Sequence, residues 1–214
     1  NHQIFQFDDE MNRRWNVAPR QVEEFAVSLS PFTRRLRVSS WVQDWDRHIA
    51  IDQNPSAFNF TKVSDSEKLF KELELEGSLW NVLVNKGPRK RYDALLVHQK
   101  YSRQLLTYED VKSYVIFLRF TEAFIFYNSL WGGASVNSKH FQISYSIPPY
   151  FRFLEDPSHV AFEEIGKVFY GTPQEKKYNS NMIVMKSSNE TELAKALWAV
   201  IQDLQSKNIS FNLS

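Results

Sequence analysis

Residues Phe126 to Gln142 read FYNSLWGGASVNSKHFQ: an aromatic run, then Asn128 and Ser129, a glycine pair, and a histidine between Lys139 and Phe141, with Gln142 beyond. Phe124, Phe126 and Tyr127 predict an aromatic strand, and the pair Gly132 and Gly133 predicts the turn that ends it. Glycine admits positive φ and close backbone approach, so successive N–H groups can converge on phosphate oxygens. A nearby imidazole can attack phosphorus or transfer a proton. On spacing alone His140 has two readings, a catalytic group or a structural histidine that follows a Gly/Ser loop.

Composition narrows the classes around this stretch. The 214 residues suffice for one large domain or two small ones with a substantial core. Lysine and arginine number 26 against 25 acidic residues, a net charge of +1, so no general field favours nucleic acid or a membrane surface. An anion site in such a chain must be local. The absence of cysteine excludes disulfides, thiolate catalysis and cysteine-based zinc sites, and the five histidines, His2, His48, His98, His140 and His159, lack close ligand spacing, so neither metal nor cofactor is expected. No secretory leader and no spanning run of about 20 apolar residues is read, giving a soluble, cytoplasmic protein as the expectation.

Working outward, Val22 to Leu29 predicts a helix ending before Pro31, and Arg34, Arg35 and Arg37 read as a solvated basic face. Trp41 and Trp45 are expected to pack. Phe58 to Val63 alternates as an aromatic strand with Phe58, Phe60 and Lys62 on one face. Trp80 to Lys86 and Ala94 to His98 predict strands either side of the Gly87-Pro88 break. A capping pattern at Thr107 and Asp110 opens a helix to Arg119, with Arg103 and Gln104 in the loop before it. Further strands are expected at Ile143 to Ile147, Met182 to Lys186 and the closing NISFNLS, with a helix from Glu190 to Ser206 capped by Ser188 or Asn189. Residues 155 to 181 read as largely loop, with a short element in FEEIGKVFY.

GASVNSKHFQ, preceded in order by FNFTKV, the Asn-Lys of Asn85 and Lys86, and FYNSL, resembles the active-site region of the histidine-triad superfamily. The similar branch holds galactose-1-phosphate uridylyltransferases, dinucleoside tetraphosphate phosphorylases and GDP-hexose phosphorylases, and the last are the nearest in pattern, over roughly residues 54 to 155. The resemblance implies an α+β, HIT-like antiparallel sheet with packed helices, residues 54–214 as the nucleotidyltransferase domain, and 1–53 as an extension packed on it. It implies that His140 is a nucleophile forming a nucleotidyl intermediate with a nucleoside diphosphate sugar, GDP-hexose first, which inorganic phosphate then discharges. Dinucleoside polyphosphate phosphorolysis and nucleotide binding without turnover are the alternatives. Gln142 takes the position that hydrogen-bonds the phosphate or bridging oxygen. Asn128, Ser129, Gly133, Ser135, Asn137 and Ser138 line the phosphates, Lys62 and Lys86 are candidate contacts, and Lys139 is expected to face solvent. A homodimer is the implied assembly. The chain departs from the pattern at Ser138, where relatives carry histidine, and at Tyr92 and Asp93, where many carry Gly-His.

Overall fold

The computed structural model describes residues 56–86, 88, 93–121, 123–146, 154, 158–173 and 182–214. The helix read at Val22 to Leu29, the arginines 34, 35 and 37, Trp41, Trp45 and the packing of the 1–53 extension lie outside the described residues.

Among the described residues, two antiparallel sheets and two α-helices give the expected α+β architecture. Strands β1 (Lys68–Leu75), β2 (Ser78–Val84), β3 (Ala94–His98), β4 (Phe124–Asn128), β5 (His140–Ser144) and β9 (Asn212–Leu213) form one sheet in the order β1-β2-β3-β5-β4-β9. The second sheet comprises β6 (Val160–Ile165), β7 (Val168–Pro173) and β8 (Val184–Lys186). Helix α1 (Tyr108–Phe120) and helix α2 (Glu190–Ser206) pack on each other, and α2 also touches β7 and β8.

Alternation along the strands decides which face is covered. Trp80, Val82, Leu96, Ile125, Tyr127, Phe141 and Ile143 are buried in one cluster with Val111, Tyr114 and Phe117 of α1 and Ala194 and Ile201 of α2. Neighbouring residues in each strand, among them His140 and Gln142, therefore point to the opposite face. Both helices start at side-chain caps. Thr107 and Asp110 form a complete capping box, and the Asn189 carboxamide accepts the Glu192 N–H at 3.0 Å. At the β1–β2 hairpin Glu76 and Gly77 both have positive φ, 49° and 75°, the two-residue turn whose twist suits paired strands.

Several elements depart from the sequence reading. Phe58 to Val63 is not a strand, since Phe60–Lys62 forms a single 3-10 turn. The Asn59 side chain accepts the Thr61 N–H at 3.0 Å, a local bond that curls the backbone away from extension. The strand read at Ile143 starts earlier, at His140, and ends at Ser144, and Ile147 lies outside the described residues. FEEIGKVFY belongs to the hairpin β6–β7, turning at Gly166 with φ 65°. The closing strand shrinks to Asn212–Leu213.

Candidate active site

His140 opens β5 and is only 4% exposed. Its register partner on β3 is Val97, which in turn faces Asn81 of β2. On the other side Gln142 faces Phe126 of β4, and two more steps of that register bring Asn128 opposite His140. His140, Gln142 and Asn128 thus share the sheet face away from the helices.

Strand pairing between β4 and β5 stops short of His140, and a side chain takes over. Gln104, fully buried, accepts the His140 N–H at 2.9 Å through Oε1. Its Nε2 donates to the carbonyls of His140 at 3.1 Å and of Asn128 at 2.9 Å. A carboxamide carries the same acceptor and donor set as a peptide group, so it replaces a missing rung of the ladder. The Gln104 backbone is held too, its N–H by Asn137 Oδ1 at 2.9 Å and its carbonyl by the Tyr127 hydroxyl at 2.8 Å. Two residues on, the Gln205 carboxamide of α2 accepts the Leu106 N–H at 3.0 Å and donates to its carbonyl at 3.1 Å.

The imidazole has a defined tautomer. Nδ1 lies 2.8 Å from the Ser138 carbonyl, which can only accept, so Nδ1 carries the proton and Nε2 keeps its lone pair. Burial pulls the pKa of His140 below the ordinary 6.5, and the bond to Ser138 opposes this more weakly. A neutral imidazole with a free Nε2 is a competent nucleophile near pH 7. The Phe60 ring lies 5.0 Å from the imidazole, and the Phe60 N–H donates to Ser138 Oγ at 3.4 Å.

Lys139 corrects the sequence reading. Instead of facing solvent it is 6% exposed and ion-paired with Asp110, itself 2% exposed, whose Oδ2 also accepts from the Thr107 N–H and hydroxyl. Alternation explains this, because a residue adjacent to His140 in an extended chain points to the helix side, where the α1 N-terminus lies. Burial, aided by the charge of Asp110, pushes the Tyr127 phenol far above its ordinary value and keeps it a hydrogen-bond donor.

The remaining sequence candidates divide. Ser138 and Asn137 lie beside His140, with Ser138 Oγ engaged by Phe60 and Asn137 Oδ1 by Gln104. Ser129 clamps the C-terminal strand: its hydroxyl accepts the Phe211 N–H at 2.8 Å and its own N–H donates to the Phe211 carbonyl at 3.0 Å. Gly132 serves the same clamp, since a Cβ there would lie 2.6 Å from the Phe211 carbonyl oxygen. Gly133, with φ 122° and open space where a Cβ would be, and the exposed Ser135 remain on the loop surface. Lys62 donates to the Ala57 carbonyl at 2.8 Å. Lys86 pairs with Glu67 at 2.8 Å beyond Val84, at the end of the sheet away from the Asn81–Val97–His140 row; Asn81 to Val84 alone spans roughly 10 Å. Gln104 escaped notice because a lone glutamine in a loop has no spacing signature.

No family model matches the chain, and no curated protein matches it. Among solved structures, similarity is found to the yeast Ap4A phosphorylase Apa2. For its complex with Ap4A the identity is 18% and the TM-score 0.47, covering 72% of this chain and 59% of that one. The complex with AMP gives 19% and 0.47, covering 72% and 58%. A third structure of the enzyme gives 19% and 0.44, covering 66% and 51%. The chain therefore spans between about half and three fifths of the length of the chains it resembles.

Proposed function

We propose that the protein is a nucleotidyl-transferring phosphorylase acting through His140, with a nucleoside diphosphate hexose, GDP-hexose by sequence resemblance, as donor. The observation that carries this reading is the imidazole held by Nδ1–H on the Ser138 carbonyl, neutral through burial and unprotonated at Nε2. In the first step the Nε2 lone pair forms a bond to the α-phosphorus while the bond from that phosphorus to the bridging oxygen breaks. The electron pair leaves with sugar 1-phosphate. Positive charge appearing on the ring is spread towards Nδ1–H, where the Ser138 carbonyl stabilises it. In the second step an oxygen of inorganic phosphate attacks the same phosphorus, the N–P bond breaks, and its electron pair returns to the imidazole as nucleoside diphosphate departs. One phosphoric anhydride is exchanged for another, and the sugar keeps its phosphate ester, so no hydrolytic driving force is needed. Gln142, on the same face, and Asn128, opposite in register, are the polar groups we assign to the phosphoryl oxygens, whose charge positioned donors stabilise. A nucleotide donor, inorganic phosphate and a homodimeric assembly complete the proposal.

Intact-protein mass tests it directly. The protein is incubated without phosphate, at mildly alkaline pH to preserve a phosphoramidate, with GDP-glucose, ADP-glucose, UDP-glucose or a dinucleoside tetraphosphate. A nucleoside monophosphate adduct, absent in His140→Ala and discharged by phosphate, is expected, and its mass names the base. An adduct only with the tetraphosphate would transfer the same mechanism to dinucleoside polyphosphates. Nucleotide binding with no adduct from any donor would overturn catalysis.

A further inference from the structure

We infer that Gln104 is the positioning residue of this site, setting the ring geometry of His140 by gripping both of its backbone polar groups; this rests on the reading of His140 as nucleophile. Three observations converge. A fully buried carboxamide bonds the N–H and the carbonyl of one residue, and that residue carries the candidate nucleophile. The same carboxamide also bonds the Asn128 carbonyl, so one side chain fixes the spacing of β4 and β5 where their own ladder has ended. Gln104 is in turn immobilised through its backbone by Asn137 and Tyr127.

The geometry explains why the grip matters to chemistry. The Nδ1–H bond to Ser138 closes over two residues, so its length depends on the backbone orientation at His140. Rotation of that peptide by a loosened strand end would break the bond, mix the two imidazole tautomers and place a proton on Nε2 in part of the population. Without Gln104, the buried N–H and carbonyl of His140 and the half-buried carbonyl of Asn128 lose this partner together. Neither replacement of similar size keeps both functions. Leucine has neither, and a glutamate carboxylate accepts from the N–H but repels both carbonyls.

The test uses Gln104→Leu and Gln104→Glu in the full chain, with two readouts. The first needs no substrate: nitrogen-detected NMR of the His140 ring gives tautomer and pKa. The wild type should show the Nδ1–H tautomer with a pKa below 6.5, and Gln104→Leu, folded by circular dichroism, a mixed tautomer and a pKa nearer 6.5. The second is the rate of adduct formation with GDP-glucose, expected to fall about 10–100-fold in Gln104→Leu, the scale of a misplaced reacting group, with KM nearly unchanged. Gln104→Glu separates positioning from bulk stability, because its carboxyl among carbonyls and out of water is held neutral to higher pH than usual. The charged and titratable groups around it include its chain neighbour Arg103, the Lys139–Asp110 pair adjoining His140, the Tyr127 hydroxyl and the His140 ring. Acidification should restore one donor, so the glutamate variant recovers wild-type ring spectra and adduct rate as pH falls, while the leucine variant does not. Should Gln104→Leu fail to fold, this pH-dependent recovery decides the matter. A folded Gln104→Leu with wild-type tautomer and pKa, or a glutamate variant insensitive to pH, would overturn the inference. Absence of any wild-type adduct would instead overturn the phosphorylase reading and leave the NMR result to judge Gln104.

Discussion

Replacing Lys139 by methionine removes an ammonium of similar length and leaves the Asp110 carboxylate buried without its counter-ion. Breaking a buried pair from one side costs 3–5 kcal/mol in general. Asp110 keeps two bonds from Thr107, so the lower end applies, about 3 kcal/mol. For a domain of this size each kcal/mol is worth about 2–4 °C, so Lys139→Met should melt about 6–12 °C below wild type. The double variant Lys139→Met/Asp110→Asn removes both charges and keeps an acceptor for the Thr107 N–H. It should regain most of the loss, because a buried pair exchanged for neutral groups of similar volume is often close to neutral in stability. Thermal unfolding followed by circular dichroism, completed as a double-mutant cycle, supplies the coupling energy. A single variant within about 2 °C of wild type, or a double variant that melts at the sum of the two single losses, would refute the claim that this pair ties β5 to α1.

Adduct formation should decline on acidification with a midpoint below 6.5, because the neutral imidazole is required and burial lowers its pKa; a decline centred at or above 6.5 would contradict the buried geometry. The same depression affects stability. The unfolded chain binds a proton at His140 that the folded chain refuses, so folding weakens as pH falls between 6.5 and the depressed value, and His140→Gln should lessen that slope in pH-dependent melts. Gly132→Ala would force a Cβ against the Phe211 carbonyl at 2.6 Å and Asn212 Oδ1 at 2.7 Å, costing about 1–3 kcal/mol, with faster hydrogen exchange expected at Phe211 and Ser129. Asn189→Ala removes the cap of α2 and should cost about 1 kcal/mol in thermal unfolding, with no change in adduct formation.

Periodicity carried the fold further than it carried the site. Ala94–His98 and Glu190–Ser206 fall where alternation and helical spacing place them, and the capping box at Thr107 and Asp110 forms as its residues suggest. Phe58 to Val63 misled because alternation reports faces and is silent about a neighbouring Asn side chain that offers the backbone a local bond. Within the site, adjacency in sequence was a poor guide to role. Ser129 and Gly132 hold the C-terminal strand, Lys139 turns to α1, and the residue that grips His140 lies 36 positions earlier. Such bonds are settled by where strands splay, a tertiary fact with no trace in local spacing.

The clamp from Ser129 to Phe211 closes a span of 82 residues, and that from Leu106 to Gln205 one of 99. Contacts of such separation carry their loop-closure entropy before they return any stabilisation, so they belong to the slow end of assembly. The β1–β2–β3 meander pairs strands that follow one another in the chain, whereas the loop after β4 and the turn bearing Gln104 are held by contacts to the β9 segment and to α2. The alignment of His140 is therefore tied to contacts distant in sequence: the bonds from Gln104 to Asn137 and His140, and the Ser129–Phe211 clamp, all close spans of 33 residues or more.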